Sequence, residues 1–182
     1  MMTTNRIKAA KRLVTGPVLQ KVAGSMLPFY RKIAANRSFA AEWTTAVVSA
    51  DLALMGKLLQ SIPALSQVNN YGTNGIGYFL SFPFKAPVYF YTNGTTIPPG
   101  MVQFTFSTEA HRSIAAAVAP LYRKLAVNAG FAAKLADAIR RKDQASVNAL
   151  IRSQVKGSGL KSVTVEESGV ALLFRTRFSK YP

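Results

Sequence analysis

The stretch Gly77–Ser107, GYFLSFPFKAPVYFYTNGTTIPPGMVQFTFS, decides how this chain is read. Tyr78, Leu80, Phe82 and Phe84 fall on alternate positions, as do Val88 and Phe90, and then Val102, Phe104 and Phe106. A period of two marks strands with one face buried. The opposite positions hold Phe79, Ser81, Tyr89, Tyr91, Met101, Gln103 and Thr105, so the second face is mixed and still aromatic. Asn93-Gly94 reads as a turn. Pro83 and Pro87 cannot donate ladder hydrogen bonds, which places that region at an edge or a bend. Lys85 is the only charged residue between Leu58 and Thr108. An edge this neutral aggregates unless something pairs with it. Tyr78, Phe79, Tyr89 and Tyr91 are therefore the candidates for a subunit interface.

On the N-terminal side of this block, Ser38 reads as the cap of one long helix, Phe39 to Ser61, ended by Pro63. Phe39, Trp43, Val47, Ala50 and Leu54 form one apolar row along it, and Thr44, Val48, Leu52, Met55, Leu59 and Ile62 form another. A helix apolar on more than one side is buried in a core or a subunit contact. On the C-terminal side, Ser107 or Thr108 opens a helical region running to about residue 155. Pro120 and Asn128-Ala129-Gly130 divide it, and Asp143 caps its last helix. Gly157-Ser158-Gly159 leads into a final hairpin, with Val163 and Val165 on one strand and Val170, Leu172 and Phe174 on the other.

The order of helices, strands, helices, strands indicates an α+β fold. The expected core is an antiparallel sheet of four to five strands from about residues 77–107 and 161–178. Helices from about residues 5–61 and 108–155 pack on it. Two divisions are expected: a basic helical segment over 1–37 and a single α+β domain over 38–182. No repeat of solenoid or propeller period runs through the chain.

Residues 1–37 hold Arg6, Lys8, Lys11, Arg12, Lys21, Arg31, Lys32 and Arg37 and no acid. A helix from about Asn5 would set Ile7, Ala10, Leu13 and Val14 on one face and Lys8, Lys11 and Arg12 on the other. Gly16-Pro17 breaks it, with Pro17 placed to start the next helix. Pro28 marks another interruption. Over the whole chain, 23 basic residues against 7 acidic ones give a formal charge of +16. That balance favours an anionic partner: nucleic acid, acidic lipid or an acidic protein surface. With 49% hydrophobic residues in 182, the chain can build a core.

Catalytic chemistry is sparsely supplied. Cysteine is absent and His111 is the single histidine, so disulfides and thiolate metal sites are excluded. Glu166 and Glu167 are adjacent and read as solvated turn residues. Gly72-Thr-Asn-Gly-Ile-Gly77 lacks the strand–loop–helix order of a phosphate loop. No nucleophile elbow, helix-turn-helix or zinc-finger pattern is present. No cofactor, metal or small-molecule substrate is expected, and no enzymatic activity. No signal peptide or membrane-spanning segment is read, so the expected location is the cytoplasm or the interior of a particle such as a virion.

The expectation is a basic structural or assembly protein that self-associates or packs with other subunits, as in a virus- or phage-like particle. Lys8, Lys11, Arg12, Lys21, Arg31, Lys32 and Arg37 would contact the anionic polymer. Two alternatives stand beside it. One is a dedicated nucleic-acid binder using the same basic residues. The other is a peripheral protein whose N-terminal helix lies on an anionic membrane.

Overall fold

The computed structural model of the chain describes residues 14–101 and 105–178. Its elements come in two similar series. The first is α1 (Gly16–Ala35), α2 (Arg37–Val48), α3 (Leu52–Gln60), a 3-10 turn at Pro63–Leu65, then β1 (Tyr71–Thr73), β2 (Gly77–Pro83) and β3 (Phe90–Thr96). The second is α4 (Thr108–Val127), α5 (Ala129–Arg140), α6 (Gln144–Gln154), β4 (Leu160–Val165) and β5 (Val170–Phe174). The α+β class is as expected, with antiparallel strands throughout. The single sheet is not: β1-β2-β3 form one sheet and β4-β5 a second.

The second series repeats the first at a constant offset of 92 residues. Pro28, Tyr30-Arg31-Lys32, Asn36, Phe39-Ala40-Ala41 and Asp51 recur as Pro120, Tyr122-Arg123-Lys124, Asn128, Phe131-Ala132-Ala133 and Asp143. The ladders keep the same offset, since Tyr71↔Leu80 and Thr73↔Tyr78 recur as Val163↔Leu172 and Val165↔Val170. The backbone agrees: Ala50 and Lys142 both turn left-handed, at φ 55° and 57°. β3 is the exception. It belongs to the connection between the repeats, and no described strand follows β5 in its place.

A pseudo-two-fold axis relates the halves. Gln20 Nε2 donates to the Ala126 carbonyl at 3.5 Å, and its counterpart Arg112 donates through Nη2 to the Ala34 carbonyl at 3.0 Å. Tyr30 lies edge-on against its own counterpart Tyr122, with ring centroids 4.8 Å apart. Such reciprocity is what a two-fold axis between equivalent surfaces produces. α1 and α4 form the joint, the most extensive pairing of elements among the described residues.

Each described α-helix starts on a side-chain cap. Thr15, Asn36, Asp51, Ser107, Asn128 and Asp143 accept from the backbone N–H groups of Val18, Phe39, Leu54, Ala110, Phe131 and Ser146. Each such cap contributes about 1 kcal/mol. Two expected boundaries are corrected here. The cap of α2 is Asn36, not Ser38, and the long helix over 39–61 is two helices, because Ala50 turns left-handed and Asp51 caps a fresh start. Pro28 and Pro120 interrupt nothing; both lie inside 20-residue helices. A mid-helix proline costs about 3 kcal/mol. Met26, Phe29, Tyr30 and Ile33 around Pro28 are almost wholly buried, and each such side chain gains about 2 kcal/mol. Burial wins. Pro17 at the start of α1, Asp143 at α6 and the final hairpin lie where the sequence puts them.

Two further expectations fall partly outside the described residues. The helix from about Asn5 lies outside them but for Val14, which is buried and not helical. Of the strand over 102–106, Val102 and Phe104 lie outside, while Phe106 is no strand residue and buries its ring against Tyr78 and His111.

The core has two lobes that share the α1–α4 joint. One surrounds Phe29, Trp43, Met55, Tyr78 and Leu80; the other surrounds Leu135, Ile139, Ile151 and Val163. Tyr91, Tyr122, Leu172 and Phe174 touch both lobes and mark the seam between them.

Candidate interaction groove

An open groove of about 890 Å3 follows that seam. β3 forms one wall, β5 with its preceding turn the other, and α1 and α4 the floor through Val22, Tyr30, Val118 and Tyr122. Both walls are sheet edges. Among the described residues β3 is last in its sheet, β5 is unpaired on one side, and the two strands share no ladder.

Which backbone groups face the groove follows from the ladders. Phe84 N–H donates to the Tyr89 carbonyl and Ile97 N–H to the Ile76 carbonyl. Bonded pairs alternate along an antiparallel ladder, so Tyr91, Asn93 and Thr95 bond β2. Thr92, Gly94 and Thr96 therefore turn their N–H and C=O groups to the open edge. On β5, the Glu166 N–H to Gly169 carbonyl bond sets the phase. Val170, Leu172 and Phe174 are then the residues whose backbone groups point into the groove.

The groove floor is polar at its centre. Tyr30 Oη donates to Asn93 Oδ1 at 2.8 Å, and Asn93 Nδ2 donates to Tyr122 Oη. One amide thus satisfies both tyrosines of the pseudo-dyad pair, and burial pushes both phenol pKa values up. The Asn93-Gly94 turn read from the sequence is therefore corrected: both residues sit mid-strand in β3. Asn93 is held by the tyrosines. Gly94 is required because a Cβ there would lie 2.3 Å from the Tyr78 carbonyl oxygen. Tyr91 crosses toward β5, where a Cβ on Gly169 would come within 3.2 Å of its hydroxyl. Burial pushes its pKa up to about 12.

Charge is uneven around the groove. Glu109, Asp137 and Asp143 are engaged in ion pairs with Arg37, Arg112, Arg140 and Arg141. Glu166 and Glu167 line the groove at the β4–β5 turn and form no ion pair among the described residues. Lys142 reaches this turn but bonds the Glu166 carbonyl, not a carboxylate. Among the described residues, the groove thus has an acidic end without an ion pair, on a chain of formal charge +16.

The interface candidates divide. Tyr78 is 4% exposed and points into the first lobe, where its hydroxyl meets His111 Nε2 at 2.8 Å. Phe79 and Tyr89 are exposed, at 41% and 58%, and Tyr91 is half-buried in the groove. The basic candidates are dispersed. Lys8, Lys11 and Arg12 lie outside the described residues. Lys21 sits over the Phe84 ring, Lys32 over the Phe39 ring, and Arg37 pairs with Glu109 at 2.8 Å. Arg31 is exposed on α1, and its counterpart Arg123 is exposed on α4.

Sequence reasoning gives Tyr30 and Tyr122 no role and reads Asn93 and Leu172 only as a turn and a strand residue; the four lie far apart in the chain. The signal that could have joined two of them is the repeated Pro-x-Tyr-Arg-Lys. His111, the single histidine, is enclosed by Phe29, Tyr78 and Phe106. Burial lowers its pKa to about 3, and its Nδ1 has no hydrogen-bond partner. A buried neutral imidazole bonded to a phenol is a packing arrangement, not a base facing a substrate. No group of three or more His, Cys, Asp or Glu suited to a metal occurs among the described residues, and none of their helices is long and apolar enough to cross a membrane. No protein-family model, curated protein or solved structure matches the chain.

Proposed function

We propose that this chain is a non-enzymatic assembly subunit that packs against copies of itself and contacts an anionic polymer. The observation that carries the proposal is the one-sided cover of the sheets. Helices bury one face, while Phe79, Tyr89, Phe90 and Leu173 remain exposed on the strands and the β2–β3 connection. Exposed aromatics beside open strand edges are the usual material of subunit contacts. The anionic contact is assigned to the repeat-related pair Arg31 and Arg123, both exposed and both followed by a lysine.

Native mass spectrometry over a hundredfold range of concentration tests the first part. Oligomers that grow with concentration and are lost in Tyr89→Ser/Phe90→Ser support it, whereas a monomer at every concentration overturns it. Titration with single-stranded RNA from 50 to 200 mM salt tests the second part. Binding that weakens with salt and loses about 1.4 units of its logarithmic salt slope in Arg31→Ser/Arg123→Ser supports it, because each phosphate contact on a single strand contributes about 0.7. An unchanged slope removes these arginines from the contact.

A further inference from the structure

The first repeat shows what a filled edge looks like. β1-β2 and β4-β5 are counterparts with the same register, and β3 lies along the outer edge of β2. In that ladder Tyr78, Leu80 and Phe82 bond β3, opposite Thr95, Asn93 and Tyr91. Their counterparts at the same offset are Val170, Leu172 and Phe174, whose backbone groups face the groove with no strand partner among the described residues. The second repeat therefore presents a strand-receiving edge whose geometry is already realised, with its strand, 92 residues earlier.

We infer that the groove between β3 and β5 receives an extended, basic segment of another polypeptide, antiparallel to β5. Direction, width and charge all bear on this. β3 runs antiparallel to β2, and the pseudo-dyad reverses β2 into β5, so β3 and β5 run the same way. The reach of Tyr91, near the start of β3, to Gly169, just ahead of β5, agrees with that. A strand inserted between them is antiparallel to both and bonds both edges. Adjacent strands lie about 4.8 Å apart, so a vacant position leaves edges about 10 Å apart, which agrees with two sheets that share no ladder. Filling it would join the separate sheets into one of six strands across the α1–α4 floor.

The occupant's chemistry follows from the walls. Its inward side chains meet Tyr91, Tyr122 and Leu172, so apolar or hydroxyl residues suit alternate positions. Its C-terminal end arrives at the β4–β5 turn, just as Thr96 at the end of β3 lies opposite Gly77. Glu166 and Glu167 stand there with no ion pair among the described residues, so that end carries lysine or arginine. Main-chain bonds supply affinity in this mode of recognition, and the side chains supply selection.

Amide hydrogen exchange of the full chain, alone and with two synthetic peptides, decides the matter. The peptides copy residues 90–96 and end in either two lysines or two glutamates. In the protein alone, Val170, Leu172 and Phe174 amides should exchange at least tenfold faster than Tyr78, Leu80 and Phe82. The lysine peptide should slow those three, and Thr92 and Gly94, at least tenfold, and the glutamate peptide should bind about tenfold more weakly. Glu166→Gln/Glu167→Gln should remove the difference between the peptides without changing far-ultraviolet circular dichroism. Slow exchange at β5 in the dilute protein would show the edge filled by the chain itself and overturn the inference. Slowing only on concentration without peptide would give the groove to a second copy, also against it. Equal binding of both peptides, or no slowing by either, would end it. The inference is independent of the assembly proposal, because a protein that stays monomeric can still bind the lysine peptide.

Discussion

His111 should make this protein acid-sensitive well above the carboxylate range. It is 1% exposed, and burial lowers its pKa from 6.5 to about 3. The folded state therefore holds the imidazole neutral while the unfolded chain takes up a proton below pH 6.5. Stability is fully present above that value and falls as pH drops toward 3. At pH 5 the separation from 6.5 is 1.5 pH units, a loss of about 2 kcal/mol at 1.36 kcal/mol per unit. With a urea slope of about 2 kcal/mol per molar, the unfolding midpoint should fall by about 1 M between pH 7 and pH 5. The chain has no other histidine, so substitution at this one position isolates the imidazole's contribution. His111→Gln keeps a polar group near Tyr78 and should flatten the dependence. If the variant folds poorly, the single imidazole resonance of the native protein serves instead and should not titrate between pH 7 and 4.5. A midpoint unchanged by acid, or an imidazole that titrates near 6.5, would refute the reasoning.

Asn93→Ala should destabilise by about 3 kcal/mol in urea unfolding, since two buried tyrosine hydroxyls lose their shared partner. Gly94→Ala should cost more than about 3 kcal/mol and loosen the β2–β3 ladder in amide exchange, because the new Cβ would meet the Tyr78 carbonyl at 2.3 Å. Gly24→Ala should act in the opposite direction, raising stability by about 1 kcal/mol. Its Cβ would meet Ala126 at an ordinary 3.9 Å, and the counterpart position already holds Ala116.

Strand alternation was legible in Tyr78–Phe82 and in Val170–Phe174, as were the caps at Asp143 and Ser107, because local chemistry dictates both. What local chemistry does not carry was misread. Asn93-Gly94 has the composition of a turn, yet two tyrosines from distant helices hold the asparagine in a strand. Pro28 and Pro120 have the composition of breaks, yet the burial around them outweighs the cost. The repeat was hidden because its core positions exchange freely, Trp43 for Leu135 and Met55 for Val147, while the shared residues are short and scattered. The single expected sheet failed for a related reason: alternation identifies strands but says nothing about which edges meet. Of the groove, only Tyr91 had been singled out, as an interface residue; Glu166 and Glu167 had been noticed only as turn residues.

The reciprocal joint between α1 and α4 has a consequence for chains at high density. Each half presents the other with a matching surface, so a half from one molecule can dock on the opposite half of its neighbour without any new contact being invented. The connector over residues 84–107 keeps the two halves of one chain at a high effective concentration, and this favours closure within the molecule when the protein is dilute. Raising the concentration of chains would shift the balance toward exchange. Such exchange would interlink neighbouring chains through contacts already optimised inside each one.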